Sequence, residues 1–114
     1  MKHKILIIIA ITIISLFVLI DPSFSQETKE KIIEDINKGL IDIYVIQVSY
    51  YLEFNQYSDS LDKLGIDPMA YKDYWDIRLY SFNEGFVAEA KGINPPVLGE
   101  VFNIDQGGVV VKTR

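Results

Sequence analysis

The chain has no cysteine and a single histidine, His3, among its 114 residues. The first absence excludes disulfides and cysteine-based nucleophiles or metal sites. The second excludes Ser-His and Cys-His pairs and any metal site built on several imidazoles. Proline is scarce too, with four residues, and there is no basic excess: 11 Lys and Arg stand against 16 Asp and Glu, for a net charge of −5. A chain of that sign lacks the basic face that nucleic acid demands. The sequence carries no internal repeat and no low-complexity tract. No two carboxylates stand out as an acid and base pair, so neither an enzyme nor a cofactor is expected, and a small hydrolase is a distant reading.

What is present begins with a basic head, Lys2, His3 and Lys4, followed by Ile5 to Ile20 without a charge. Asp21 and Pro22 end this run, and Ser23 and Ser25 set small residues where a signal peptidase reads, with Gln26 as the new start. At 16 residues the run falls short of the roughly 20 that span a bilayer core. Residues 1–25 therefore read as a signal peptide or membrane anchor, with cleavage favoured; a retained single-pass anchor and a pilin-type leader stay open. The product is expected to be exported, periplasmic or extracellular, with a membrane contact only where residues 5–20 are kept as an inner-membrane anchor. Setting these residues aside removes Lys2, Lys4 and Asp21 and leaves nine basic and fifteen acidic side chains, a net of −6. The 89 residues that remain, 26–114, are enough for one domain. A domain of that size buries only a little over about 60% of its unfolded surface. With no disulfide to supplement it, the core must draw on the seven Tyr, four Phe and one Trp of this stretch and on its aliphatic residues.

From Glu27 to Phe54 the apolar residues Ile32, Ile33, Ile36, Leu40, Ile43, Val45, Ile46, Tyr50 and Phe54 recur mostly at three- and four-residue steps. That spacing predicts one long helix with a single broad apolar face, buried in its second half from Leu40 to Phe54. Glu27 and Glu30 fall in its first turn, where carboxylates meet the positive end of the helix dipole. Gly39 is its weak point, costing about 1 kcal/mol relative to Ala. A short helix is expected at 58–64, closed by Gly65 in the left-handed conformation, and a loop from Ile66 to Asp76. The period then changes to two, predicting strands at 77–82, 86–91, 100–105 and 109–112. Gly85 is expected to supply positive φ in the first hairpin, and Gln106, Gly107 and Gly108 turn the second. Phe86, Ala88 and Ala90 face one way, against Val87, Glu89 and Lys91, giving one packed and one wet face. Val109 to Val111 are uniformly apolar, so the last strand is expected to be covered on both faces. The fold class is α+β: one long N-terminal helix packed on a three- to four-stranded antiparallel sheet.

Several stretches resemble the type IV pilin and type II secretion pseudopilin family. They are the helix ending in Tyr50 and Tyr51, then Tyr57 followed by Ser60, Leu61 and Leu64, and Tyr80 with Phe82. The run from Gly85 to Ala90 and the closing Phe102, Asn103, Ile104 and Asp105 with Gly107 or Gly108 complete the match. The resemblance implies a pilin-like fold, no catalytic residues, and work through protein contacts in a secretion or surface assembly. The chain departs from the family at its start: no glycine precedes Gly39 and no acidic residue lies within Ile5 to Ile20, so the prepilin leader motif is absent. Some pseudopilins bind calcium in loops. Here Asp59, Asp62, Asp67, Asp73, Asp76 and Asp105 lack calcium-loop spacing and are expected to serve turns and caps, leaving no metal site.

Two groups remain as candidate binding residues. Tyr71, Tyr74 and Trp75, interleaved with charges in a predicted loop, suit an aromatic contact surface. Ile32, Ile33 and Ile36 form either core or a docking stripe for another subunit. For Tyr50, Phe54, Tyr80, Phe86 and Phe102, burial in the core is the expectation. The functional expectation is an exported, non-enzymatic pilin-like domain with protein partners, self-association included. The alternatives are a periplasmic or extracellular small-ligand binding module with its site at Tyr71 to Asp76, or a single-pass membrane-tethered domain.

Overall fold

The computed structural model describes residues 23–114, with side chains described from Thr28 onward. The expected export segment, residues 1–25, lies outside the described residues apart from its last three positions, which are helical backbone. The chain falls into two units, Met1–Lys31 and Ile32–Arg114. The described part of the first is the beginning of helix α1 (Ser23–Phe54), and the rest of that helix, the sheet and the core belong to the second.

Helix α1 is described from Ser23, four residues ahead of the expected Glu27. Glu27 and Glu30 consequently lie beyond the first turn, which holds no acidic residue. At the other end Asn55 takes the left-handed conformation, φ 58°, and donates its N–H to Tyr51 O at 2.7 Å, a helix closure that asparagine tolerates.

Ile32, Ile36, Leu40 and Ile43 succeed one another at steps of four, four and three, which keeps them on one side of α1, and all four are buried. They belong to one core with Trp75 and Ile77 of β1 (Trp75–Ser81), Phe86, Ala88 and Ala90 of β2 (Phe86–Gly92), and Phe102 and Ile104 of β3 (Val101–Asp105). With β4 (Val111–Lys112) these strands make an antiparallel sheet in the order β1-β2-β3-β4. The α+β expectation thus holds: one helix lies on a four-stranded antiparallel sheet. In β2 the alternation is as the sequence implies, with Phe86, Ala88 and Ala90 fully buried. On the opposite face the register sets Asp76 against Lys91 and Arg78 against Glu89, so opposite charges face one another across the strands.

Several expectations fail for identifiable reasons. Residues 58–64 form no helix. Their turns are closed instead by Leu64 N–H to Leu61 O, Gly65 N–H to Asp62 O and Ile66 N–H to Leu61 O, with Gly65 at φ 74°. Ser58, at the start of this stretch, has its N–H and its C=O both held by the Gln47 side chain. The loop expected at 66–76 contains a 3₁₀ turn, Pro68–Tyr71, capped by Asp67, whose Oδ1 accepts from Met69 N–H at 2.9 Å. Gly85 is not at positive φ; a Cβ there would lie 2.6 Å from Gln106 Oε1, so a side chain at this position would displace the end of the glutamine. That same oxygen accepts the Phe86 N–H at 3.2 Å. Asp105 is the turn residue expected, accepting from Gly107 and Gly108. Val109 and Val111 are 66% and 52% exposed, so the last strand is not covered on both faces. It is a two-residue edge strand, too short to be enclosed. Of the five aromatics expected in the core, Phe86 and Phe102 are buried and Tyr50 is half-buried, whereas Phe54 and Tyr80 are exposed. Phe54 is the last helical residue, and Tyr80 sits on the outer sheet face opposite Val87.

Candidate functional site

The two candidate groups, separate in sequence, meet in space. Ile32 and Ile36 from α1 and Tyr71, Tyr74 and Trp75 from the segment entering β1 line one hollow of about 210 Å³, with Asp35 and Asp73 also on its lining. On the other side of Ala70 and Tyr71 lies a second hollow of about 340 Å³, lined by Gly39, Asp42, Val45, Ile46, Ile66 and Asp67. Tyr71 is the wall between them.

Gly39 explains how that wall stands where it does. A Cβ at position 39 would come within 2.7 Å of Tyr71 Oη and 2.9 Å of two ring carbons, so the ring occupies the space that glycine leaves open. The weak point of the helix is thus the seat of an aromatic side chain. Gly39→Ala gains about 1 kcal/mol of helix propensity and displaces the ring. The expected result is a melting temperature within a few degrees of the parent, together with a large change in the Tyr71 ring proton shifts. Unchanged ring shifts would show that Tyr71 does not rest on Gly39.

The members of this site differ in availability. Ile36 is fully buried, Ile32 nearly so, and both belong to the core. The docking-stripe reading of Ile32 and Ile36 is therefore corrected: the sheet covers them, and Ile33 is half-buried against the same cluster. Trp75 is likewise core, packed edge-on to Phe102 with ring centroids 5.7 Å apart. Of the six candidates, only Tyr71 and Tyr74 offer substantial surface beside Ile33. Both hollows stand at or below the low end of small-molecule sites, which run from about 300 to 1,000 Å³. Their aromatic walls and carboxylates suit a cationic, amphipathic side chain of a protein better than an enclosed ligand. Among the described residues no three His, Cys, Asp or Glu side chains come together as a metal site.

Sequence reasoning missed two features. Gln47 is fully buried and clamps the segment after the helix: its Nε2 donates to Ser58 O at 2.7 Å and its Oε1 accepts from Ser58 N–H at 2.8 Å. The signal was a polar residue four positions after Ile43, on the row that faces the core. The second is a further apolar row on α1. Ile41, Val45 and Leu52 are exposed, Leu52 by 80%, and Val48 between them is half-buried. At 3.6 residues per turn this row lies about 140° around the helix from the row of Ile36, Leu40, Ile43 and Gln47. The single broad face inferred from the sequence is in fact two rows, and Val45 belongs to the outer one.

No family model, curated protein or solved structure matches the chain. Among the described residues no helix is long and apolar enough to cross a membrane.

Proposed function

We propose that this chain is an exported, non-enzymatic, pilin-like domain that serves a secretion or surface assembly through protein contacts. The observation that carries the reading is the second apolar row of α1. A helix with one side against its own sheet satisfies its burial needs with one row, and the outer face is ordinarily polar. Here Ile41, Val45, Val48 and Leu52 repeat at steps of four, three and four, the seam by which one helix packs on another. The partner that fits is an apolar helix of a neighbouring subunit. The order of elements, a long helix and then an antiparallel meander, supports the pilin-like part of the proposal.

The test is a double substitution, Val45→Asp with Leu52→Asp, in the full chain recovered from its native membranes. Both side chains are exposed, so the thermal midpoint should move by no more than a few degrees. Recovery of secretion or surface proteins with the chain should fall at least tenfold. Equal recovery of the same proteins by parent and variant would remove the helix row as the docking surface. Recovery of none by the parent would remove the reading altogether.

A further inference from the structure

We infer that two copies of this chain pair through their β1 strands, antiparallel, with Ile77 of one facing Ile77 of the other. This goes beyond the proposed function: the surface is not the helix row, and the partner is the chain itself. Strand β1 is an outer strand of the sheet, hydrogen-bonded to β2 alone, and its seven residues run without a bulge or a proline. Edge strands of that length are ordinarily blunted by proline, bulges or lysine.

The direction of its free groups is set by its two ends. Phe82 N–H bonds to Gly85 O at 2.8 Å, and Tyr74 O accepts from Ile93 N–H at 2.8 Å. Antiparallel pairing alternates, so the even-numbered residues turn their main chain toward β2. Trp75, Ile77, Leu79 and Ser81 turn theirs toward the open edge. Among the described residues these groups have no backbone partner outside the sheet ladder.

A second β1 strand fits that edge in one register above others. Two-fold pairing must set odd residues against odd ones, so the axis passes through a residue of the strand. Centred on Asp76, it sets Asp76 against itself, and centred on Arg78 it sets Arg78 against itself; like charges directly opposite are unfavourable. Centred on Leu79, it sets Arg78 against Tyr80 and leaves Asp76 beyond the paired residues. Centred on Ile77, it sets Asp76 opposite Arg78 twice, while Trp75 meets Leu79 on the core side. Asp76 and Arg78 already form an ion pair along the strand at 3.1 Å, so the edge carries no net charge to repel a copy. The ladder is short, and the pairing belongs to the small, transient class of interface.

Because the chain has no cysteine, each introduced thiol is unique. In full-length chains held in one mild detergent, Asp76→Cys copies mixed with Arg78→Cys copies should cross-link under mild oxidation at least tenfold faster than either variant alone. Association driven by residues 5–20 would show no such preference. Asp76→Arg and Arg78→Asp should each reduce capture of a differently tagged copy of the same variant at least tenfold. Mixing the two variants should restore it, since each then meets its opposite. Both residues are substantially exposed, so a thermal melt confirms that neither variant has lost its fold. Equal cross-linking rates, no cross-link, or capture unaffected by either charge reversal would overturn the pairing. Partner recovery through Val45 and Leu52 is read separately and would stand or fall on its own.

Discussion

Gly92→Ala is expected to lower the melting temperature by about 15 °C or more. A Cβ at position 92 would lie 1.8 Å from Val97 O and 2.7 Å from Val97 C. Both are backbone atoms, so no side-chain rotation relieves the clash. The Gly92–Glu100 connection is closed on itself by Gly92 N–H to Glu100 O at 2.7 Å and Gly99 N–H to Gly92 O at 2.9 Å. It is anchored by Val97, which is fully buried in the core. To admit the methyl group the loop must open, breaking two hydrogen bonds at about 1 kcal/mol each and withdrawing a valine, at about 1.5–3 kcal/mol. The total of roughly 4 kcal/mol is a large part of the stability of a domain this small. For such a domain each kcal/mol shifts the midpoint by about 4–8 °C. Circular dichroism melts measure it, and cleavage between Asn94 and Leu98 by a protease should accelerate in parallel. A midpoint within about 4 °C of the parent, the shift of a single kcal/mol, would mean that the loop is not anchored through Val97.

Gln47→Leu should be the second most damaging change, although it places an apolar residue of similar volume in an apolar surrounding. The substitution strands Ser58 N–H and Ser58 O, two buried groups whose partners are the two ends of the Gln47 amide. Each orphaned group costs about 1–3 kcal/mol, so a loss of about 2–6 kcal/mol is expected in urea unfolding. Gln47→Glu gives the same result in a pH-dependent form. A carboxylate there accepts from Ser58 N–H but faces Ser58 O without a proton to donate, so burial raises its folded pKa above that of the unfolded chain. The folded state then holds the proton more tightly, and stability falls as pH rises from the unfolded value, about 4.3, toward the folded one. Gln47→Glu should therefore approach the parent at about pH 4 and fall away from it by about pH 7. Gln47→Leu should show no such recovery. Equal deficits for the two variants at both pH values would show that the amide does not clamp Ser58.

These two positions also mark where the sequence was legible and where it was not. The helix and the sheet could be read because their periods are local: Ile32, Ile36, Leu40 and Ile43 repeat by turns, and Phe86, Ala88 and Ala90 by twos. The bonds of Gln47 and the room denied to Gly92 depend on residues 11 and 5 positions away, which no local pattern encodes. The 3₁₀ turn was closer to hand, because Asp67 before Pro68 is a capping residue before a proline at the first position. The candidate site was half legible. Tyr71 and Tyr74 do face a shared hollow with Ile32 and Ile36, but the sheet's claim on those isoleucines and on Trp75 shows only in the fold. The outer row of α1 was hidden because its residues interleave with the inner row. Counting apolar residues in a window merges the two.

The meander has a consequence for how the molecule is made. Each strand pairs only with its neighbour in sequence, so the sheet closes through successive local loops, a rapid and inexpensive way to build β-structure. The remaining step is long-range: Ile36, Leu40 and Ile43 await Phe86 and Ala88, which lie more than forty positions later. On the ribosome α1 emerges well before the strands that cover it, bearing apolar residues on two sides. That interval is when the nascent chain is most exposed to aggregation and when a chaperone has most to shield.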